Sequence, residues 1–245
     1  MNKQSNLYTV IYSIVLVTVV AAALAFVSVS LKPIQQQNVE IEKKSDILGS
    51  VGLYNPENIK GDKDAYINEL YSKFITESFL VNSKGEKCGD AAEAFKVLNN
   101  LKAVYAKPQA ERELPVFISK NESGKINYIF PVYGTGLWGP VWGYIAVDAD
   151  LNTINGAVFD HKSETPGLGA EIASDGFEGQ FTNETKTLFE GGKFVGIVVT
   201  KGVGSSKGNP HAVDAVSGGT ITSRAVETMI VTCLADYVPY INKTK

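Results

Sequence analysis

From Gln4 to Leu31 the chain carries no charged residue, and no other feature restricts its fold so strongly. Folded as a helix, Tyr8 to Leu31, "YTVIYSIVLVTVVAAALAFVSVSL", reaches about 36 Å at ~1.5 Å per residue, enough to cross a bilayer. Ala23-Leu24-Ala25 offers the small-x-small pattern of a cleaved signal, yet the apolar run continues past it and exceeds a usual h-region of about 7 to 15 residues. An uncleaved anchor over 8–31 is therefore expected. Lys3 before the span and Lys32 after it balance in the positive-inside count, so the short leading tail decides orientation. It predicts a cytoplasmic segment over 1–7 and a large domain across the membrane. Ala21, Ala22, Ala23 and Ala25 would let neighbouring membrane helices pack closely.

A chain of 245 residues, 44% of them hydrophobic, has enough apolar surface for one substantial folded domain beyond the anchor. The net charge of −3 provides no basic field for nucleic-acid phosphates, and no nucleic-acid partner is expected. Cys88, Cys233, His161 and His211 are the whole complement of cysteine and histidine and have no metal-site spacing, so no dedicated metal is expected. Cys233 falls on the apolar stripe of an expected helix, which favours a buried free thiol, while pairing with Cys88 stays open. Asn121, Asn183 and Asn242 match the glycosylation pattern, which only a eukaryotic secretory host would use.

Residues 32–50, "KPIQQQNVEIEKKSDIL" and its flank, read as a polar stalk that turns helical near Asp46. The spacing of Ile67, Leu70, Tyr71, Phe74 and Phe79 predicts one amphipathic helix from Asp64 to Val81. A second is expected from Asp90 to Leu101, making 51–115 mainly helical. After Pro115 come β-rich runs beginning at Val116, Ile126, Val141, Thr153 and Phe194, with hairpin chemistry in "NESGK" and "DADLN". Ser223 to Tyr240, with Val226, Met229, Ile230, Cys233, Leu234 and Val238 on one face, closes the chain as a helix that packs on the sheet. The expected fold is α+β: an antiparallel sheet with packed helices behind a single membrane helix.

Three short motifs could carry chemistry. Gly134-Thr-Gly-Leu-Trp-Gly139 satisfies G-x-G-x-x-G, but Pro140 and a strand follow where a dinucleotide fold needs a helix, so the glycines read as a tight turn. Trp138 at its tip is core filler or the aromatic wall of a planar ligand. "HKSETPGLGAEI", His161 to Ile172, sets a rigid turn between strand and short helix; a His161–Glu164 dyad has no nucleophile motif to serve. In "DAVSGGTITSRAVETM", Ser217-Gly218-Gly219-Thr220 precedes a helix starting near Thr222 or Ser223, whose free amides can converge on an anion. The loop has neither P-loop lysine nor hydrolase elbow, and a plain helix-capping turn explains its spacing as well.

In order and spacing, the span, the "QQQNVEIEKKSDIL" stalk, "YGTGLWGPVWGYIAVDAD", "SETPGLGAEI" and "DAVSGGTITS" resemble the FMN-bearing C subunits of the sodium-translocating NADH:quinone oxidoreductase. The resemblance covers nearly the whole chain. It implies an FMN-binding domain over 116–245 on the periplasmic side of a bacterial inner membrane, and FMN joined by a phosphoester to the threonine that ends the loop, Thr220. A separate flavin transferase using FAD would attach it. Asp214 stands at the motif's leading aspartate, and Gly219 replaces a usual alanine. The implied phosphate surroundings are Ser217, Gly218, Gly219, Thr222, Ser223 and Arg224, with Trp138, Glu164, Thr165, Gly167, Leu168 and Gly169 around the flavin ring.

No catalytic residue of its own is implied, because the cofactor does the redox work. The implied role is to relay single electrons inside a six-subunit membrane complex that oxidises NADH, reduces a quinone and exports sodium. Its partners would be the other subunits, including a second FMN-bearing membrane subunit, and membrane lipid. The related subunit of ion-translocating ferredoxin:NAD oxidoreductases shares two motifs but is disfavoured by the long Asn55–Pro115 insert and the "GTGLWGPVWGY" loop. Two further readings use the same loop: a module binding a phosphate ligand noncovalently, and a hydrolase pairing Ser217 or Thr220 with His211.

Overall fold

The computed structural model describes residues 6–182 and 185–245; the Asn183 pattern and Lys3 lie outside them. The chain separates into two compact units, 1–43 and 44–245. Helix α1, Asn6–Ser50, begins in the first unit; an 18-residue window of it has a mean hydropathy of 2.7 and is wholly exposed, which makes it long and apolar enough to span a membrane. The stalk expected to become helical only near Asp46 is instead part of this continuous helix, which passes through Pro33. Proline removes one backbone hydrogen bond, but the Gln, Glu and Lys that follow are good helix formers and propagate the turns beyond it.

In the second unit, α2 (Lys63–Phe74) starts at Asp62, whose carboxylate accepts the Asp64 N–H at 2.9 Å. The helix expected to continue to Val81 ends at Phe74, and Ile75–Val81 is strand β1. Phe79, Leu80 and Val81 are buried in succession, which suits a strand covered on both faces, and non-local pairing with the later strand Leu114–Lys120 overrides the helical spacing. After β2 (Lys87–Gly89), α3 (Ala91–Leu98) opens with a capping box between Asp90 and Glu93. It stops at Asn99-Asn100 instead of reaching Leu101, and α4 (Leu101–Tyr105) begins anew. The 51–115 segment thus supplies two strands as well as its helices.

Strands β3 (Leu114–Lys120), β4 (Ile126–Thr135), β5 (Pro140–Asp148) and β6 (Thr153–His161) form consecutive hairpins. With the short β7 (Lys186–Thr187) they complete a seven-stranded antiparallel sheet in the order β2-β1-β3-β4-β5-β6-β7. The "NESGK" and "DADLN" turns join β3 to β4 and β5 to β6 as expected. The strand expected at Phe194 is broken by Gly196 at φ +69°. Its pieces fall in β9 (Lys193–Phe194), which pairs with the preceding β8 (Phe189–Glu190), and in β10 (Val198–Thr200), which runs parallel to β11 (Ala212–Asp214). A short helix, α5 (Asp175–Glu178), lies between β6 and β7.

Helix α6 (Thr220–Thr244) lays Val226, Met229, Ile230, Cys233 and Leu234 against Phe130, Val132 and Ile145. On the other face Leu98 and Leu101 meet Phe117, Ile129 and Tyr144. Adjacent residues of β4, Ile129 and Phe130, therefore enter different cores, which is why the central strands read as nearly continuous apolar runs. A Cβ on Gly134 would stand 2.9 Å from that of Met229, so this glycine allows α6 to lie close over the end of β4. Both cysteines are free, Cys233 buried as expected and Cys88 exposed.

Candidate functional site

The turn between β4 and β5 is closed by the Gly136 N–H donating to the Gly139 carbonyl at 2.7 Å. It carries Trp138, 66% exposed, and Leu137 at its tip. The segment after β6 is stitched to it: the Ser163 hydroxyl donates to the Trp138 carbonyl at 3.0 Å, and the Lys162 N–H to Pro140. Beyond Pro166 the chain turns through Gly167 at φ +75°, whose N–H donates to Glu171, while the Thr165 carbonyl accepts from Leu168 and Ala170.

The third element is the start of α6. It begins at Thr220, earlier than the expected Thr222 or Ser223, so Thr220 is itself the first helical residue and Gly219 the N-cap. No side chain caps this end; the Ser223 N–H bonds the Gly219 carbonyl at 2.9 Å, and the preceding amides of the first turn face the loop. The Ser223 hydroxyl braces the loop from inside, donating to the Gly219 carbonyl at 2.9 Å and accepting the Val216 N–H at 3.0 Å. Gly218 holds φ +75°, a conformation that suits glycine.

One carboxylate joins all three elements. Glu164, 4% exposed, accepts the Trp138 N–H at 2.8 Å on Oε1 and the Thr222 hydroxyl at 2.6 Å on Oε2. It fits because two neighbours lack side chains: a Cβ on Gly136 would stand 2.5 Å from Oε1, and one on Gly169 would stand 2.6 Å from Oε2. Burial works to raise its pKa, but hydrogen bonds from Thr222, Trp138 and Gly139 and the nearby His161 outweigh it and hold the carboxyl below its ordinary range. A His161–Glu164 dyad is not formed through this carboxylate; the Glu164 backbone N–H donates to His161 Nδ1 at 3.2 Å instead.

Between these elements lies a cleft of about 300 Å³ lined by Leu137, Trp138, Glu164, Thr165, Leu168, Gly169 and Gly218 to Thr222. The structure thus brings most of the sequence-predicted residues together. Ser217 and Arg224 are outside the lining beside the cleft, Gly167 stands in its turn, and Ser223 is buried beneath the loop, so these four are not part of its wall. His211 is likewise absent from it and bonds the Thr187 carbonyl through Nδ1 at 2.7 Å, so the expected pairing of His211 with Ser217 or Thr220 is not formed there. Among the described residues no cluster could hold a metal ion.

An FMN-binding domain model matches residues 136–235, the stretch that contains all three elements. Full-length relatives extend the match: the C subunit of the Na(+)-translocating NADH-quinone reductase of Neisseria meningitidis serogroup A is 32% identical, covering 100% of this chain and 96% of that one. The chain belongs to this family of C subunits. The corresponding C subunit of Haemophilus ducreyi is 30% identical over 92% of the chain and 88% of its own length. Among solved structures, the C subunit of Parabacteroides distasonis is 38% identical with a TM-score of 0.71, covering 86% of this chain and 96% of that one. NqrC of Shewanella oneidensis is 27% identical with a TM-score of 0.68, covering 84% and 97%.

As a member of this family, the chain is part of an oxidoreductase complex and contains an FMN-binding domain. Two lining residues were missed by sequence reasoning: Leu137, 49% exposed, and Ile221, 63% exposed. The only signal for them was their apolar character beside glycines and threonines. The residues present fit FMN: an open helix N-terminus for a phosphate, and an apolar rim of Leu137, Trp138, Leu168 and Ile221 for a flat ring system.

Proposed function

We propose that this chain is the electron-relay subunit of the sodium-translocating NADH-quinone reductase and carries FMN covalently through a phosphoester on Thr220 Oγ. The observation that carries the reading is the contrast among the loop hydroxyls. Thr222 and Ser223 are committed to internal hydrogen bonds, whereas Thr220 lines the cleft at the first helical position. A phosphate there would gain about 0.3–1 kcal/mol from the free amides and helix dipole, and exposed Arg224 could add a charge-assisted bond. When bound, FMN supplies one-electron redox chemistry. The chain's own residues anchor the tail, wall the ring with Trp138 and Leu168, and exclude water from one side of it.

Attachment forms the Thr220 Oγ–P bond and breaks the pyrophosphate of FAD, releasing AMP and the hydroxyl proton, with a separate flavin transferase as the catalyst. The apolar part of α1 is read as an inner-membrane anchor that keeps the domain on the periplasmic side, among the other subunits and their second FMN.

The test is the intact mass of denatured protein after coexpression with a flavin transferase, followed by peptide mapping. The expected result is an FMN-phosphoryl increment on the Ser217–Arg224 peptide, kept by Thr220→Ser and lost by Thr220→Ala. A wild-type protein of unmodified mass, made with a transferase active on a control substrate, would overturn the reading.

A further inference from the structure

We propose that Glu164 is the positioning residue of the acceptor site: by holding the Thr222 hydroxyl its carboxylate fixes the first turn of α6, and so selects Thr220 among the neighbouring hydroxyls and keeps it toward the cleft. This inference rests on the flavin attachment proposed above.

"SGGTITS" offers four hydroxyls within seven residues, Ser217, Thr220, Thr222 and Ser223, and local sequence alone does not rank them. The tertiary structure does, and it leaves exposed Ser217 outside the cleft lining. Ser223 is fully buried and closes the loop on itself through Val216 and Gly219. Thr222, 2% exposed, spends its proton on Glu164 Oε2. With Thr222 and Ser223 buried and bonded, Thr220 is the half-buried hydroxyl of the cleft wall, at the mouth of α6.

The clasp also sets distance. Glu164 is held on its other oxygen by the Trp138 N–H, so one side chain spans from the aromatic wall to the helix that carries the acceptor. Gly136 and Gly169 leave the space the carboxylate occupies, and any side chain at either would displace it. Such a group fixes geometry: charge-assisted bonds from fixed donors lock its rotamer, and a displacement of about 1 Å at a reacting group can cost as much as 100-fold in rate. The carboxylate acts through the two groups it holds, the Trp138 N–H and the Thr222 hydroxyl.

The experiment measures the rate of covalent FMN incorporation, per folded molecule, into full-length protein incubated with FAD and the transferase, together with the visible circular dichroism of the product. Folding is checked by far-ultraviolet dichroism. Thr222→Val, which keeps the shape and removes the hydroxyl, and Glu164→Ala are each expected to slow incorporation by roughly 10-fold or more and to alter the flavin dichroism. Thr222→Ser, which keeps the hydroxyl, should remain within about 3-fold of wild type, as should Glu164→Gln, whose amide oxygen accepts the Trp138 N–H while its NH2 donates to the Thr222 hydroxyl. A shift of part of the adduct to residue 222 in Glu164→Ala would also support selection.

Wild-type rate and dichroism in folded Thr222→Val would overturn the proposal, as would a failure of Thr222→Ser to restore them. If Glu164→Ala does not fold, the Thr222 pair decides. A wild-type protein that takes no flavin would instead count against the attachment reading, so the two failures are distinguishable.

Discussion

Gly219 and Leu168 meet backbone to backbone: a Cβ on Gly219 would stand 2.8 Å from the Leu168 carbonyl oxygen and 3.1 Å from Val216 Cγ1. Glycine at this position lets the loop before α6 lie tight against the Pro-Gly-Leu turn. Because the opposing atom is backbone, relief requires moving the turn. Gly219→Ala is therefore expected to cost about 1–2 kcal/mol, read by urea denaturation. Equal or greater stability of the alanine variant would show that the turn yields to the added methyl without strain.

Trp138 separates packing from function. With 66% of its surface exposed, it contributes little to the core, so Trp138→Ala should change stability by no more than about 0.5 kcal/mol. Its indole lines the cleft beside Leu168, where contact with a flavin ring would quench emission. The flavin-loaded variant is expected to fluoresce more strongly than wild type. Unchanged emission would place the ring elsewhere.

Burial pushes Glu178 up to about 7, against the lowering effect of the Phe159 N–H that it accepts at 2.6 Å, with Asp175 and Asp160 adding repulsion. A carboxyl whose folded value lies above its unfolded one stabilises fully below about pH 4.5, and that contribution disappears as pH rises through about 7. Glu178→Gln keeps the acceptor and removes the charge. Discounting for partial solvent exposure, it should raise stability at pH 8 by about 1–2 kcal/mol and change it little near pH 4.5. Urea unfolding of both proteins at the two pH values checks this, and a variant with the same pH slope as wild type would refute it.

Asp214 anchors the glycine-rich loop ahead of β11: its carboxylate accepts the Ser206 N–H at 2.7 Å, the Ser205 hydroxyl at 3.1 Å and the Gly204 N–H. Burial works to raise its pKa, but bonds from Gly204, Ser206 and Ser205 prevail and bring it down to about 2. The sign is opposite to that of Glu178: this contribution is present above about pH 3.8 and is lost as pH falls through about 2. Asp214→Asn should cost under about 1 kcal/mol globally, since the group is only partly buried and its amide replacement keeps an acceptor. It should, however, speed tryptic cleavage at exposed Lys201 and Lys207, followed by mass spectrometry. An unchanged cleavage rate would mean that the loop is held by something else.

What the sequence determined was local. An uncharged run of helix-spanning length, the 3.6-residue stripe of α6 and the turn chemistry of "NESGK" and "DADLN" each depend on neighbours a few residues away, and each appears where it was expected. Most of the cleft lining could also be named, through the resemblance of its three motifs to a known family. What needed the tertiary structure was non-local. Ile75–Val81 became a strand because Leu114–Lys120 pairs with it, and the middles of β4 and β5 are nearly continuous apolar runs because helices cover both faces of the sheet. The bonding of Glu164 to Thr222 joins residues 58 apart, through space that exists only because Gly136 and Gly169 carry no side chains. Hydrogen-bond commitment of this kind depends on distance after folding. For that reason the sequence could list the hydroxyls of "SGGTITS", and only the folded chain distinguished those turned inward from Thr220 at the cleft.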